Sequence, residues 1–184
     1  MYFLGASATR CVKWVRKIKV SEEESQSFWQ QRDYKSFSPS VDWSNADFQS
    51  TPAIIDFPVQ SVICVPEEGK QYPAGTEFVN LKGYALSGGG RGIIRVDVSS
   101  DGGETWHTAD LEQATDQKLF KMWAWTLWSC RVPLDRTRSK DGHYQLVCKA
   151  IDYGYNSQPE TSKGIWNFRG FLNNSWHRVN ITVK

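Results

Sequence analysis

The chain has 184 residues, a formal net charge of +2, 40% hydrophobic residues and 23% charged residues. That balance is ordinary for a globular protein and excludes disorder and collagen-like structure. The weak charge argues against general nucleic-acid binding, and no apolar run approaches the roughly 18 residues of a membrane-spanning helix. The length fits one medium domain, or one domain plus part of another. Nine tryptophans within a 14% aromatic share give the chain large flat side chains to bury, which a β-sandwich does well.

In chain order, Met1-Tyr2-Phe3-Leu4-Gly5 suits a strand running into a glycine turn, as in a chain that begins mid-fold. Residues 1–20 contain no acid but carry Arg10, Lys13, Arg16, Lys17 and Lys19. A mitochondrial transit peptide shares that bias, but this stretch is poor in serine. The alternation Val15-Arg16-Lys17-Ile18-Lys19-Val20 predicts a partly exposed strand over 10–20. Ser21 followed by Glu22, Glu23 and Glu24 reads as a helix N-cap with acids at the positive end of the dipole, predicting a short helix to about Gln31. A loop composition follows over 33–40. Residues 1–57 hold too few apolar side chains to close a core alone, so this is an incomplete α+β segment.

Residues 58–184 read as all-β. Strand patterns fall at 59–65, 77–84, 93–99, 105–111, 122–128, 144–150 and 176–183. About seven short strands with turn signals between them predict an immunoglobulin-like β-sandwich.

Few motifs in this part point to chemistry. Gly88-Gly89-Gly90-Arg91-Gly92 is followed by a strand pattern rather than by Gly-Lys-Ser/Thr and a helix, so a hairpin turn or bulge is expected and not a phosphate loop. Ser99-Ser100-Asp101-Gly102-Gly103-Glu104-Thr105-Trp106 is similar to the Asp-box turn of sialidases, but 184 residues cannot build their propeller, and a structural turn is expected. Cys11, Cys64, Cys130 and Cys148 form no C-x-x-C pair and read as buried free thiols. His107, His143 and His177 lack metal-ligand spacing, and no metal site is assigned. Two basic positions remain. Arg10 and Lys13 sit beside a tryptophan in the acid-free run and suit an anion. Arg169, in Trp166-Asn167-Phe168-Arg169-Gly170, is either a packed structural fork or an anion hook.

From about residue 5 to 184 the chain resembles the C-terminal part of the eukaryotic sulfite oxidase family. The passages that carry the resemblance are Arg10-Cys11-Val12-Lys13-Trp14, the run from Gln31-Arg32-Asp33-Tyr34-Lys35 to Trp43, Gly83-Tyr84-Ala85-Leu86-Ser87-Gly88-Gly89-Gly90-Arg91, Trp123-Ala124-Trp125, and Trp166-Asn167-Phe168-Arg169-Gly170. The resemblance implies that residues 1–57 are the C-terminal tail of a molybdopterin-binding domain. It implies that residues 58–184 are a molybdenum-oxidoreductase dimerisation domain, hence a homodimer. It further implies a molybdenum-molybdopterin cofactor contacted at Cys11, Val12 and Lys13, with Cys11 in place of the family's histidine. Tyr34 and Arg169 are implied to bind sulfite, Phe168 replacing the family's leucine.

The resemblance places the family's metal-ligating cysteine and haem domain upstream of the first motif, so no cysteine here is expected to ligate metal and the chain alone is expected to be inactive. Cytochrome c or a haem domain as electron acceptor, and the mitochondrial intermembrane space for an animal source, are implied in the same way. The alternative is a non-catalytic β-sandwich homodimerisation module.

Overall fold

A strand with one face in a core alternates apolar and polar side chains, because successive residues point to opposite faces. A computed structural model describes residues 7, 10–112, 117–139 and 141–184, and nine strands form where that alternation runs. They are β1 (Gln60–Val65), β2 (Gln71–Tyr72), β3 (Phe78–Leu86), β4 (Ile93–Ser99), β5 (His107–Thr108), β6 (Asp110–Glu112), β7 (Thr126–Pro133), β8 (His143–Asp152) and β9 (His177–Val183). A four-stranded sheet has the order β1-β3-β7-β6, and a five-stranded sheet has the order β2-β9-β8-β4-β5. All pairings are antiparallel except the two-residue β2–β9 pair. This is the expected sandwich.

The inner faces supply the core. Val79, Leu81 and Ala85 of β3, Trp128 and Val132 of β7, Val96 and Val98 of β4, Leu146 of β8 and Ile181 of β9 are buried together. Each such aliphatic side chain contributes roughly 1.5–3 kcal/mol by leaving water. Gly83 lies directly opposite Trp128 in the β3–β7 register, and a methyl group there would collide with the indole and with the Val62 carbonyl. The bare glycine is what lets the largest core side chain lie flat across its neighbour strand. A polar staple joins the sheets. The Ser61 hydroxyl of β1 donates to Gln158 Oε1 at 2.7 Å, and that oxygen also accepts the Ala150 amide of β8 at 2.8 Å.

The structure corrects several expectations. The pattern over 105–111 is two strands, not one: β5 pairs with β4 and β6 with β7, so the chain changes sheets at buried Ala109. The strand expected at 122–128 starts only at Thr126. The Gly88–Gly92 loop does not close a hairpin, because β3 and β4 belong to different sheets. A bulge does follow it, between Ile93 and Arg95. The Asp-box turn is structural as expected: Asp101 accepts from the Thr105 amide, the Thr105 hydroxyl and Arg138, while Trp106 packs edge-on against Trp176. Burial opposes ionisation of Asp101, but bonds from Thr105, Ser99 and Arg138 outweigh it and hold the carboxyl far below its usual range.

The segment before the sandwich differs most from its reading. Residues 12–20 are exposed and carry no strand pairing, since a strand needs a neighbour for its backbone groups. The helix expected from Ser21 is absent. Instead the Ser21 and Ser25 hydroxyls accept from the Glu23 and Ser27 amides, local bonds that compete with helix formation. A π turn forms further on, at Trp29–Asp33. Between residues 7 and 57, among the described residues, only Ser7 and Lys35 are buried, in line with a segment unable to form its own core. The strand expected at 1–5 lies outside the described residues. No helix among the described residues is long and apolar enough to cross a membrane.

Candidate anion-binding site

Arg169 occupies a tight turn whose geometry follows from its neighbours. The Gly170 amide donates to the Asn167 carbonyl at 2.9 Å, and Gly170 takes φ +71°, a region that glycine enters without a Cβ clash. Buried Asn167 donates from Nδ2 to the Phe171 carbonyl at 2.9 Å and closes the loop from the other side. The Arg169 side chain is thereby held at 14% exposure. Its Nη2 donates to the Asp33 carbonyl at 2.8 Å and to Asp33 Oδ1 at 2.6 Å. The guanidinium carbon lies 5.1 Å from the Phe171 ring centre, 5.5 Å from Trp43 and 6.0 Å from Phe48. Its Nε is buried and has no hydrogen-bond partner among the described residues. A buried donor left open beside a cation is chemically matched to an anion.

Tyr34 reaches the same cluster from the π turn. Its ring is 5.7 Å from Phe171 and 6.3 Å from Trp29, and the Arg10 guanidinium sits 5.6 Å above it. Tyr34 is fixed by its backbone: its carbonyl accepts the Ile54 amide at 2.7 Å and its amide donates to Trp29 at 3.2 Å. The neighbouring Lys35 is buried with its ammonium donating to the Phe48 and Thr51 carbonyls at 2.5 and 2.6 Å, so it is a structural cation. The structure thus brings Tyr34 and Arg169 into one aromatic-walled cluster, although 135 positions separate them in sequence.

Cys11, Val12 and Lys13 are placed differently. Cys11 is half-buried, while Val12 and Lys13 are exposed. They follow Arg10 in the chain, whose guanidinium donates to the Ile54 carbonyl at 2.9 and 2.5 Å and to Gln30 at 2.6 Å. Arg10 is therefore a structural fork, which corrects its reading as an anion holder beside Lys13. The thiol reading is corrected as well. Only Cys148 is buried, Cys11 and Cys130 are half-buried, and Cys64 is exposed. Burial pushes the Cys148 thiol up to about 12, and burial with the Asp110 charge also raises Cys130. Among the described residues no group of three or more His, Cys, Asp or Glu stands close enough to hold a metal ion. Of Cys11, Val12 and Lys13, the exposed Lys13 carries the cation, a group of the kind that pairs with phosphate.

Two features of the site went unread in the sequence. Asp33 was quoted only as part of the Arg32-Asp33-Tyr34-Lys35 run, yet it is the residue that pairs with Arg169. Arg91, quoted only in the glycine-rich motif, forms a hub. Its Nε donates to fully buried Asp152 at 3.1 Å, its Nη1 to Asp56 at 3.2 Å and its Nη2 to the Phe57 carbonyl at 3.3 Å. The hub borders a cavity of about 540 Å³ lined in part by Pro58, Asn156, Leu172 and Asn174.

The class is that of a two-sheet β-sandwich domain that packs an arginine turn against a preceding, coreless segment. Residues 51–184 match the Mo-co oxidoreductase dimerisation domain, and the chain belongs to that family. It is 50% identical over 179 residues to mitochondrial sulfite oxidase of Homo sapiens, covering 97% of this chain and 32% of that protein. It is 43% identical over 181 residues to sulfite oxidase of Arabidopsis thaliana, covering 95% of this chain and 44% of that protein. Among solved structures, the sulfane dehydrogenase SoxCD of Paracoccus pantotrophus matches with a TM-score of 0.69 and 26% identity, over 95% of this chain and 41% of that one. The chain spans about a third of the length of the human relative it matches.

Proposed function

We propose that this chain serves as the C-terminal portion of a sulfite oxidase-type molybdoenzyme that converts sulfite to sulfate. In this reading residues 1–57 are the tail of the molybdopterin-binding domain and residues 58–184 the dimerisation domain of a homodimer. The observation that carries it is the meeting of Tyr34 and Arg169 in one aromatic-walled cluster with an open Nε donor. Arg169 binds the sulfite oxyanion by charge-assisted hydrogen bonds. The Tyr34 phenol donates to a second oxygen. Phe171, Trp43 and Phe48 limit water around the guanidinium and so strengthen its attraction for the anion. The backbone of Cys11 and Val12 meets pterin edges, and the Lys13 ammonium meets the terminal phosphate. The bound cofactor supplies the two-electron oxidation of sulfur. Cytochrome c or a haem domain receives the electrons, in the mitochondrial intermembrane space for an animal source.

The test is a titration of the 184-residue chain with sulfite and with sulfate at low ionic strength, followed by tryptophan fluorescence, in which Trp43 reports on the guanidinium beside it. Saturable binding that is lost in Arg169→Met is expected. Identical curves for the two proteins overturn the site. In a sulfite assay the chain supplied with molybdopterin is expected to show no turnover, and robust turnover overturns that part.

A further inference from the structure

The cavity of about 540 Å³ beside the Arg91 hub has a chemistry of its own. Its volume falls in the range of small-molecule sites, roughly 300–1,000 Å³. Pro58 and Leu172 give it an apolar wall, and Asp56, Arg91, Asp152, Asn156 and Asn174 give it polar groups. The protein's own bonds decide what those groups can offer a ligand. Asn156 Nδ2 donates to both oxygens of Asp152 at 3.0 Å, and Asn174 Nδ2 donates to the Val59 carbonyl at 2.9 Å. Both partners can only accept, so each amide turns its nitrogen to the protein and presents its oxygen. Asp56 accepts from the Phe57 amide on Oδ1 and from Arg91 on Oδ2, which leaves lone pairs open on a carboxylate that is 44% exposed. Among the described residues the lining holds two carboxylates against one guanidinium, and each of the three guanidinium nitrogens already donates to the protein. An acceptor-rich cavity with one negative charge in excess fits a donor-rich cation. A left-handed residue precedes each asparagine: Tyr155 at φ +58° before Asn156, and Leu172 at φ +62° two positions before Asn174. Residues other than glycine keep that region only where the surrounding structure holds them, so both loops are pre-set and a ligand has little left to order.

We propose that this cavity binds a small organic amine. The three N–H groups of a primary ammonium match three acceptors, the Asp56 carboxylate and the side-chain oxygens of Asn156 and Asn174, and an apolar stem lies against Pro58 and Leu172. Among the described residues neither Tyr34 nor Arg169 lines the cavity, so the site is separate from the anion site and does not rest on that reading.

Isothermal titration calorimetry of the 184-residue chain at low ionic strength tests this with three probes of similar shape and different charge: phenethylamine, 2-phenylethanol and 3-phenylpropanoate. Phenethylamine is expected to bind saturably and at least about tenfold more tightly than the alcohol, as hydrogen bonds to a charged group allow, and the carboxylate is expected not to bind. Asp56→Asn keeps the shape of the side chain and removes the excess charge. It is expected to weaken phenethylamine binding at least about tenfold while the circular dichroism spectrum stays that of wild type. A lysine side chain carries the same ammonium on a more flexible stem, so a blocked Gly-Lys-Gly peptide is expected to bind more weakly than phenethylamine. Absence of saturable binding, equal affinity for amine and alcohol, or an Asp56→Asn variant that binds the amine like wild type overturns the site. Tighter binding of the peptide assigns the cavity to a protein partner and overturns the small-molecule reading.

Discussion

Asp152 is the most heavily bonded acid in the sandwich, and its removal tests the role of the Arg91 hub. Its side chain is fully buried and accepts from Ser87 at 2.8 Å, Arg91 Nε at 3.1 Å, the Gly154 amide at 2.8 Å, and the Asn156 amide and side chain at 3.0 Å. Asp152→Ala leaves Arg91 with the Ser87 hydroxyl, the Phe57 carbonyl and half-exposed Asp56, and strands several donors. Breaking one side of a buried ion pair costs about 3–5 kcal/mol. For a chain of this size that corresponds to a fall in Tm of roughly 6–20 °C. Urea unfolding at neutral pH, followed by circular dichroism, measures it. Asp56→Ala removes the exposed partner of the same arginine and is expected to cost no more than about 1 kcal/mol. A loss below about 1 kcal/mol for Asp152→Ala refutes the reasoning, because Arg91 would then not depend on this carboxylate. Acid provides a second arm. Burial raises the Asp152 carboxyl, but the bonds from Asn156, Ser87 and Gly154 outweigh it and hold it below 3.8. The unfolded chain therefore takes up this proton first. The stabilisation is complete above that value and is lost as pH falls through the folded one, and the variant lacks this loss.

Three further outcomes follow from the packing and the site. His177 accepts the Ile63 amide on Nδ1 at 3.2 Å, and burial lowers its pKa although Glu68 opposes the shift. The unfolded chain binds this proton more tightly, so stability should decline as pH falls from about 7.5 to 5.5, and His177→Asn should flatten the Tm profile over that range. Gly83→Ala pushes a methyl group into Trp128 and the Val62 carbonyl and should cost about 3 kcal/mol or prevent folding; a urea midpoint equal to wild type would remove the close-approach argument. Asp33→Asn removes the carboxylate that competes for Arg169, so sulfate should bind about three- to tenfold more tightly in the fluorescence titration, and weaker binding would mean that Asp33 positions the guanidinium instead.

The sandwich was legible because its strands bury one face. Val79, Leu81 and Ala85 alternate with outward Phe78, Asn80 and Lys82, and a period of two is visible without any partner in view. The same signal misleads where the partner is missing: Val15-Arg16-Lys17-Ile18-Lys19-Val20 alternates equally well yet forms no ladder. The change of sheet at Ala109 was hidden because β5 and β6 are two and three residues long, too short to carry a period. Tyr34 and Arg169 were named through motif resemblance, and both pack against Phe171. Asp33 was not, since nothing in a single sequence says which arginine a carboxylate 136 positions away will meet.

The hub and the site are parts of one mechanical path. Arg91 ties Asp56 and Phe57 to the sandwich through Asp152. Two residues earlier, the Ile54 amide donates to the Tyr34 carbonyl, the Ile54 carbonyl accepts from Arg10, and Ala53 forms a β-bridge with Lys35. Tyr34 has no core of its own to rest on, because almost nothing in residues 7–57 is buried. Its place relative to Arg169 is therefore set from the sandwich side: by Asp33 at the arginine, and by residues 53–57 held at the hub. Two anchors at opposite ends of a coreless segment fix it where one would leave a pivot. Loss of Asp152 then acts on anion binding as well as on stability, through Tyr34, without touching either site residue.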